Sequence, residues 1–460
     1  MAIVGVARRW VILFSALLLM GATSVAVTPS TGLPVAALAI SGQVAPPASR
    51  TTETGNAAPE HYTLSSEQRA TAKAYSRAQY AVYFGGVALS VAIYLLFWFG
   101  RLGVALRNLA RRASRRFWVQ CLVFAPLFFA AAALLNLPLD FYAGYRLEHR
   151  FDLSAQTFAS WLGDWGKTLA LSVIASIIVV WIFYSVVRRS PRRWWFFFWL
   201  ATIPLELFVM FIEPWVVEPL FYKFTPLSGT QPALTEPIET MLNHAGLEIP
   251  RSRIFEMNAS AKTRTLNAYV SGLGTSKRVV VWDTTLKALS PDETLLVLGH
   301  ETGHYVLHHI PKEFALIELV LLGLFYVGQR LLVAAVRRFG LRTGLEGLND
   351  LASLPAALLV LNLLAFAGSP VFSAISRHYE HQADQYGLEV AYGVVTNPNA
   401  AEAHSLQVVG ELDLADPDPS PFIVFWLYSH PPIDDRIRFA WSYHPWTEDR
   451  PMEFVRAKTS

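Results

Sequence analysis

The chain is short of charge and almost without cysteine, and each shortage excludes something. Charged residues fill only 16% of its 460 positions while hydrophobic residues fill 53%, which is not the balance of an ordinary soluble domain. The one cysteine, Cys121, excludes an intramolecular disulfide and leaves the redox compartment open. Net charge is only +3, so no partner can be read from overall charge. No internal repeat is present.

Apolar runs stand where the charge is missing. Crossing a bilayer takes about 20 residues, and runs of that kind fall near 10–28, 80–100, 117–138, 168–187, 194–213, 314–336 and 351–373. Seven spans, or six if the first is removed, predict a mainly α, polytopic membrane protein lying in a lipid bilayer, because open sheet edges cannot face lipid. Arg8 and Arg9 precede the first run and Ser24-Val25-Ala26 ends it with signal-peptidase spacing, so it reads as either a cleaved leader or an anchor. From 28 to about 66 the chain is rich in Pro, Thr, Ser and Ala, the composition of a flexible linker.

The arginines cluster. Arg101, Arg107, Arg111, Arg112, Arg115 and Arg116 crowd one short loop, Arg188, Arg189, Arg192 and Arg193 a second, Arg337, Arg338 and Arg342 a third. Basic residues in short loops stay cytoplasmic. Alternating the spans puts all three loops on that side and sends 214–312 and the C-terminal tail to the other. A nucleic-acid patch is the rival reading of such clusters, and their position beside the spans speaks against it.

Within 214–312, a helical pattern over 235–245 ends before Gly246, and a strand is expected at 254–256. Runs at 267–270 and 278–282 flank Gly272-Leu273-Gly274, the pattern of a β-hairpin with a glycine-permitted turn. Ser290-Pro291-Asp292-Glu293 opens a helix with a capping hydroxyl, a proline at the first position and acids in the first turn. That helix carries LLVLGHETGHYVL. His300 and His304 are four apart, so both rings project from one face and can hold zinc at about 2.0–2.1 Å. Glu301 can reach the attacking water as general base. His308 and His309 read as a continuation of the helix, with His308 on the ligand face one turn beyond His304. A catalytic zinc keeps three protein ligands. The better source for the third is 376–384, where Glu380 and Asp384 also share a face. One carboxylate could ligate and the other orient a ligand histidine; taken alone, the stretch reads first as a juxtamembrane polar turn.

These stretches resemble the integral-membrane zinc metalloendopeptidases of the CAAX prenyl protease type, the sterile-mutant, a-factor-converting kind. The resemblance runs through 222–227, 266–272, 281–286, the zinc helix, 376–384, and Tyr428-Ser429-His430-Pro431-Pro432 followed by Arg436. Upstream it takes in Asn136-Leu137-Pro138 and 148–151, so it covers nearly the whole chain from about Tyr75. It implies one zinc ion per chain on His300, His304 and Glu380, with Glu301 as base and Asp384 as the orienting acid. Asn267, Ala268 and Tyr269 would meet the substrate at an edge strand. His430 and Arg436 would serve the oxyanion or order the site. The implied fold is a helical barrel around a chamber, joined to a zincin-like α+β metalloprotease domain. Glu206, Glu213 and Glu318, costly in lipid, should face its interior.

The expected organisation is a leader or first span over 1–28, a linker over 29–74 and a four-helix membrane half over 75–213. The metalloprotease domain follows over 214–312, two further spans over 313–373, and a catalytic tail over 374–460. The expected substrate is a peptide or protein, prenylated at a C-terminal C-a-a-X in the family's pattern, with no nucleic-acid partner. The site is expected in a bacterial cytoplasmic membrane, its zinc domain extracytoplasmic by the arginine rule. A membrane quality-control protease, or a transporter or channel with a structural zinc, are the alternatives. One departure is 260–265, Ser-Ala-Lys-Thr-Arg-Thr where the family carries Ser-Lys-Arg-Ser.

Overall fold

The computed structural model describes residues 58–272 and 277–455. The first hydrophobic run, most of the linker and the centre of the hairpin turn lie outside the described residues. Among the described residues six helical segments are long and apolar enough to span a membrane. Helix α1 is Ser66–Phe99. After the basic helix α2, Leu102–Ala113, come α3, Phe117–Phe141, continued by a π-helical turn to Arg150, α4, Phe158–Arg189, and α5, Trp194–Ile212. The expected linker ends earlier than 74. A reciprocal cap between Ser65 and Gln68 starts α1 at Ser66, because two otherwise orphaned amides are satisfied there.

The extramembrane part begins with β1, Phe224–Pro226, then α6, Pro232–His244, and β2, Ile254–Met257. The hairpin strands follow as β3, Ala268–Ser271, and β4, Arg278–Trp282. Then come the zinc-motif helix α7, Pro291–Val306, α8, His309–Thr343, α9, Leu354–Ala391, α10, Pro398–Leu412, and α11, Ile433–Ser442. The sheet order is β1-β2-β4-β3. β3 and β4 pair antiparallel, Ala268 opposite Val281 and Ser271 opposite Arg278, as the hairpin pattern requires. β3 is therefore an edge. β4 is buried along its length, which suits its unbroken apolar run.

The six spans close a ring. α1 packs on α3, α3 on α4, α4 on α5, α5 on α8, α8 on α9, and α9 back on α1. One end of this barrel is filled by apolar side chains, including Phe97, Phe124, Phe128, Phe183, Trp194 and Leu354. That end carries the arginines, three of which are tied down from the facing loop. Arg107 pairs with buried Asp350, and Arg111 pairs with Glu346. Arg101 donates to the Arg342 carbonyl. The acids missing from the 101–116 loop come from the 346–350 loop, which folds against it.

Toward the opposite end the buried residues turn polar: Gln79, Asn136, Asp140, Glu148, Glu206 and Glu318. Tyr75 and Gln79 donate to Glu148, and Asn136 donates to Asp140. Glu206 on α5 and Glu318 on α8 are neighbours across the interior. With Glu213 they are buried in the protein rather than spread on its lipid face. This is where intramembrane carboxyls cost least.

Candidate active site

α7 is placed by its cap. Ser290 accepts from the Glu293 amide and Glu293 accepts from the Ser290 amide. The helix carries His300, Glu301 and His304 into full burial. α9 crosses it with almost no side-chain spacer. A Cβ on Gly387 would lie 3.0 Å from the His300 nitrogen, and one on Gly299 would lie 3.2 Å from the Gly387 carbonyl oxygen. Only glycine tolerates such backbone contact. The crossing delivers Glu380 and Asp384 to the histidines.

Ligand atoms of His300, His304 and Glu380 lie within 4.8 Å of one another. The two Nε2 atoms are 3.2 Å apart. His300 Nε2 is 3.2 Å from one Glu380 oxygen, and His304 Nε2 is 3.8 Å from the other. Two ligands about 2.0–2.1 Å from a tetrahedral zinc sit about 3.3 Å apart, so the separations fit. So does the chemistry. Glu380 is fully buried, and its oxygens face the imidazole nitrogens of His300, His304 and His430. A buried carboxylate among imidazole nitrogens is the donor set that a divalent cation takes up.

The two histidines are oriented from behind. His300 Nδ1 donates to Asp384 at 2.7 Å, which leaves Nε2 for the metal. Arg436 clamps Asp384 with Nε and Nη2, at 2.9 and 2.6 Å. Of the two roles expected for Arg436, its fork is spent on ordering. His430 Nε2 stands 3.0 Å from Glu380 and its Nδ1 2.9 Å from the Ser429 hydroxyl. Its loop is tied to α9 by Arg377, which donates to the Val424 and Tyr428 carbonyls. Burial draws the His430 imidazole below its ordinary range despite the nearby Glu380, favouring a neutral ring.

Asn267 precedes the edge strand, its backbone held by Thr285 and Trp282, and its buried side-chain oxygen has no hydrogen-bond partner. Ala268 is fully buried. The Tyr269 hydroxyl donates to Glu218, which also pairs with Arg278. Tyr269 can meet substrate only through its backbone. A cavity opens between this strand and α10, lined by Leu266, Asn267, Leu289, Val297, His300 and Leu406. Glu402 and Arg436 also line it. Burial, reinforced by the charge of Asp384, pushes the Glu402 carboxyl up to about 7.

One expectation fails. His308 does not continue the zinc helix. α7 ends at Val306, and His308 adopts a left-handed conformation, φ 55°, because the chain must turn there to enter α8. The residue overlooked is His309. It is fully buried, with Nδ1 3.1 Å from His304 Nδ1 and Nε2 3.1 Å from the Gln382 Oε1. Its nearness in sequence hid it, since only the break at His308 swings it back onto His304.

A buried HExxH centre with a glutamate from a later helix, seated on a barrel of membrane spans, defines a membrane-embedded metalloendopeptidase. Residues 228–443 match peptidase family M48, and residues 50–223 match the CAAX prenyl protease N-terminal region of five membrane helices. An uncharacterised metalloprotease of Bacillus subtilis, YhfN, is 35% identical over 371 residues, covering 81% of this chain and 85% of that one. CAAX prenyl protease 1 of Saccharomyces cerevisiae is 28% identical, covering 69% and 71%. The crystal structure of S. mikatae Ste24p matches with a TM-score of 0.69 at 25% identity, covering 82% and 89%. The chain belongs to peptidase family M48, in its CAAX prenyl protease branch.

Proposed function

We propose that the metal is zinc, held by His300, His304 and Glu380, and that the enzyme cuts peptides presented at the membrane, including prenylated C-terminal C-a-a-X sequences. The observation that carries the metal assignment is the buried Glu380 carboxylate converging with two imidazole nitrogens at tetrahedral spacing. Zinc, when bound, lowers the pKa of its water toward ~7 and polarises the scissile carbonyl. Glu301 takes the proton of the attacking water and returns it to the leaving amine. Asp384, held by Arg436, keeps the proton of His300 on Nδ1. His430 presents its Nε2 beside Glu380, where it can donate to the carbonyl oxygen as charge develops. The substrate backbone adds to the free edge of β3 from Asn267 onward. The aliphatic walls of the adjoining cavity accept an apolar side chain next to the scissile bond.

The proposed location is a bacterial cytoplasmic membrane, with the arginine end inside. α8 runs from the site at His309 to the arginine loop at Thr343, 35 residues or about 50 Å, so the catalytic end lies across the bilayer from the arginines. Cleavage of a farnesylated C-a-a-X peptide and its unprenylated twin by the purified, zinc-loaded enzyme tests the substrate reading, with Glu301→Gln as control. Cleavage of both at equal rates would remove prenyl dependence, and cleavage of neither would reject the C-a-a-X reading.

A further inference from the structure

We infer that His309 is a positioning residue for the metal, fixing the tautomer of His304 through a three-member relay. The inference rests on His304 being a ligand, as proposed above. Gln382 Oε1 can only accept, so the 3.1 Å contact with His309 Nε2 places a proton on that nitrogen. The neutral ring then presents a lone pair at Nδ1. That lone pair lies 3.1 Å from His304 Nδ1, which must therefore be the donor. With its proton on Nδ1, His304 has a bare Nε2, the atom that faces His300 Nε2 and Glu380.

The opposite arrangement cannot coexist with a metal. Were His309 to donate from Nδ1, the His304 proton would move to Nε2, into the space where the ligand atoms converge. His309 does for His304 what Asp384 does for His300, but as a neutral acceptor rather than a carboxylate. The two devices differ because their surroundings differ: Asp384 has Arg436 to balance its charge, whereas the His304 side carries only the Gln382 amide. His309 packs at a tilt against Tyr379, ring centroids 4.7 Å apart, and opens α8 directly after the left-handed His308.

Zinc affinity of the purified full-length protein, measured by competition with a chromophoric chelator, tests the relay. His309→Leu removes the acceptor and should weaken zinc binding about 10–100-fold, the usual effect of losing a partner behind a ligand. His309→Asn puts a side-chain oxygen where Nδ1 was and should restore affinity to near wild type. The d–d absorption of the cobalt-substituted protein should follow the same order. Wild-type affinity in His309→Leu, or equal losses in the Leu and Asn variants, would overturn the relay. If the Leu variant does not fold, loss of zinc by a folded His309→Asn still rejects it. His304→Ala separates the two ideas: retained zinc there would reject His304 as a ligand, whatever His309 does.

Discussion

The two ends of the barrel are built from the same six spans and bury opposite things. At the arginine end Phe97, Phe124, Phe128 and Trp194 fill the ring with apolar surface. At the catalytic end Gln79, Asn136, Asp140, Glu148, Glu206 and Glu318 occupy the equivalent inward positions. The outward-facing side chains do not distinguish the ends; exposed large hydrophobic residues, leucine among them, occur on every span. A span can be recognised by what it shows to lipid, but its task is set by what it shows to its neighbours. One end is an apolar plug, and the other buries polar groups on the side of the His300, His304 and Glu380 cluster.

Four measurements can break or sharpen this contrast. The largest effect belongs to the catalytic end. Glu301→Gln should lower peptide cleavage by about 10²–10⁴-fold with zinc content unchanged; loss of zinc together with activity would make Glu301 a ligand rather than a base. Next is the plug. Phe128→Ala should cost stability near the low end of the about 3–5 kcal/mol found in soluble cores, since lipid is as apolar as the core it replaces. Gln79→Leu, at the other end, should cost far less. Thermal melts of both variants in detergent would show the contrast, and equal shifts would erase it.

Asp384→Asn should weaken zinc binding by about 10–100-fold, read by chelator competition, because the His300 ring loses its charged acceptor. The smallest effect concerns Glu402. Its carboxyl, raised from 4.5 to about 7, binds its proton more tightly folded than unfolded. Its contribution to stability is thus complete below about 4.5 and fades as pH rises through about 7. In Glu402→Gln the melting temperature should vary less with pH across that window; an unchanged profile would show that Glu402 is charged throughout.

The HExxH helix was legible because every signal in it is local: the Ser290 and Glu293 cap, the proline at 291, and two histidines four apart. The hairpin strands were equally plain from their apolar runs. His308 misled because helical spacing continues through it, and nothing local announces a left-handed residue that is not glycine. Tyr269 lies on the expected strand, and the partner of its side chain could not be read locally, because Glu218 approaches from the end of a membrane span. The acids that neutralise Arg107 and Arg111 lie more than 230 residues away, beyond any reading of the loop itself.

Local periodicity and capping are enough to determine the spans and the pair of imidazoles on one face, because each depends on residues within a few turns. The choice of Glu380 as the facing carboxylate, with Asp384 behind His300, was settled by tertiary structure. His300 and Asp384 are 84 residues apart, and they meet only because Gly299 and Gly387 let two helix backbones touch. The closing of six spans into a ring, apolar at one end and polar at the other, is likewise a property of which faces pack together. A sequence states which faces a helix has; packing decides what each face meets.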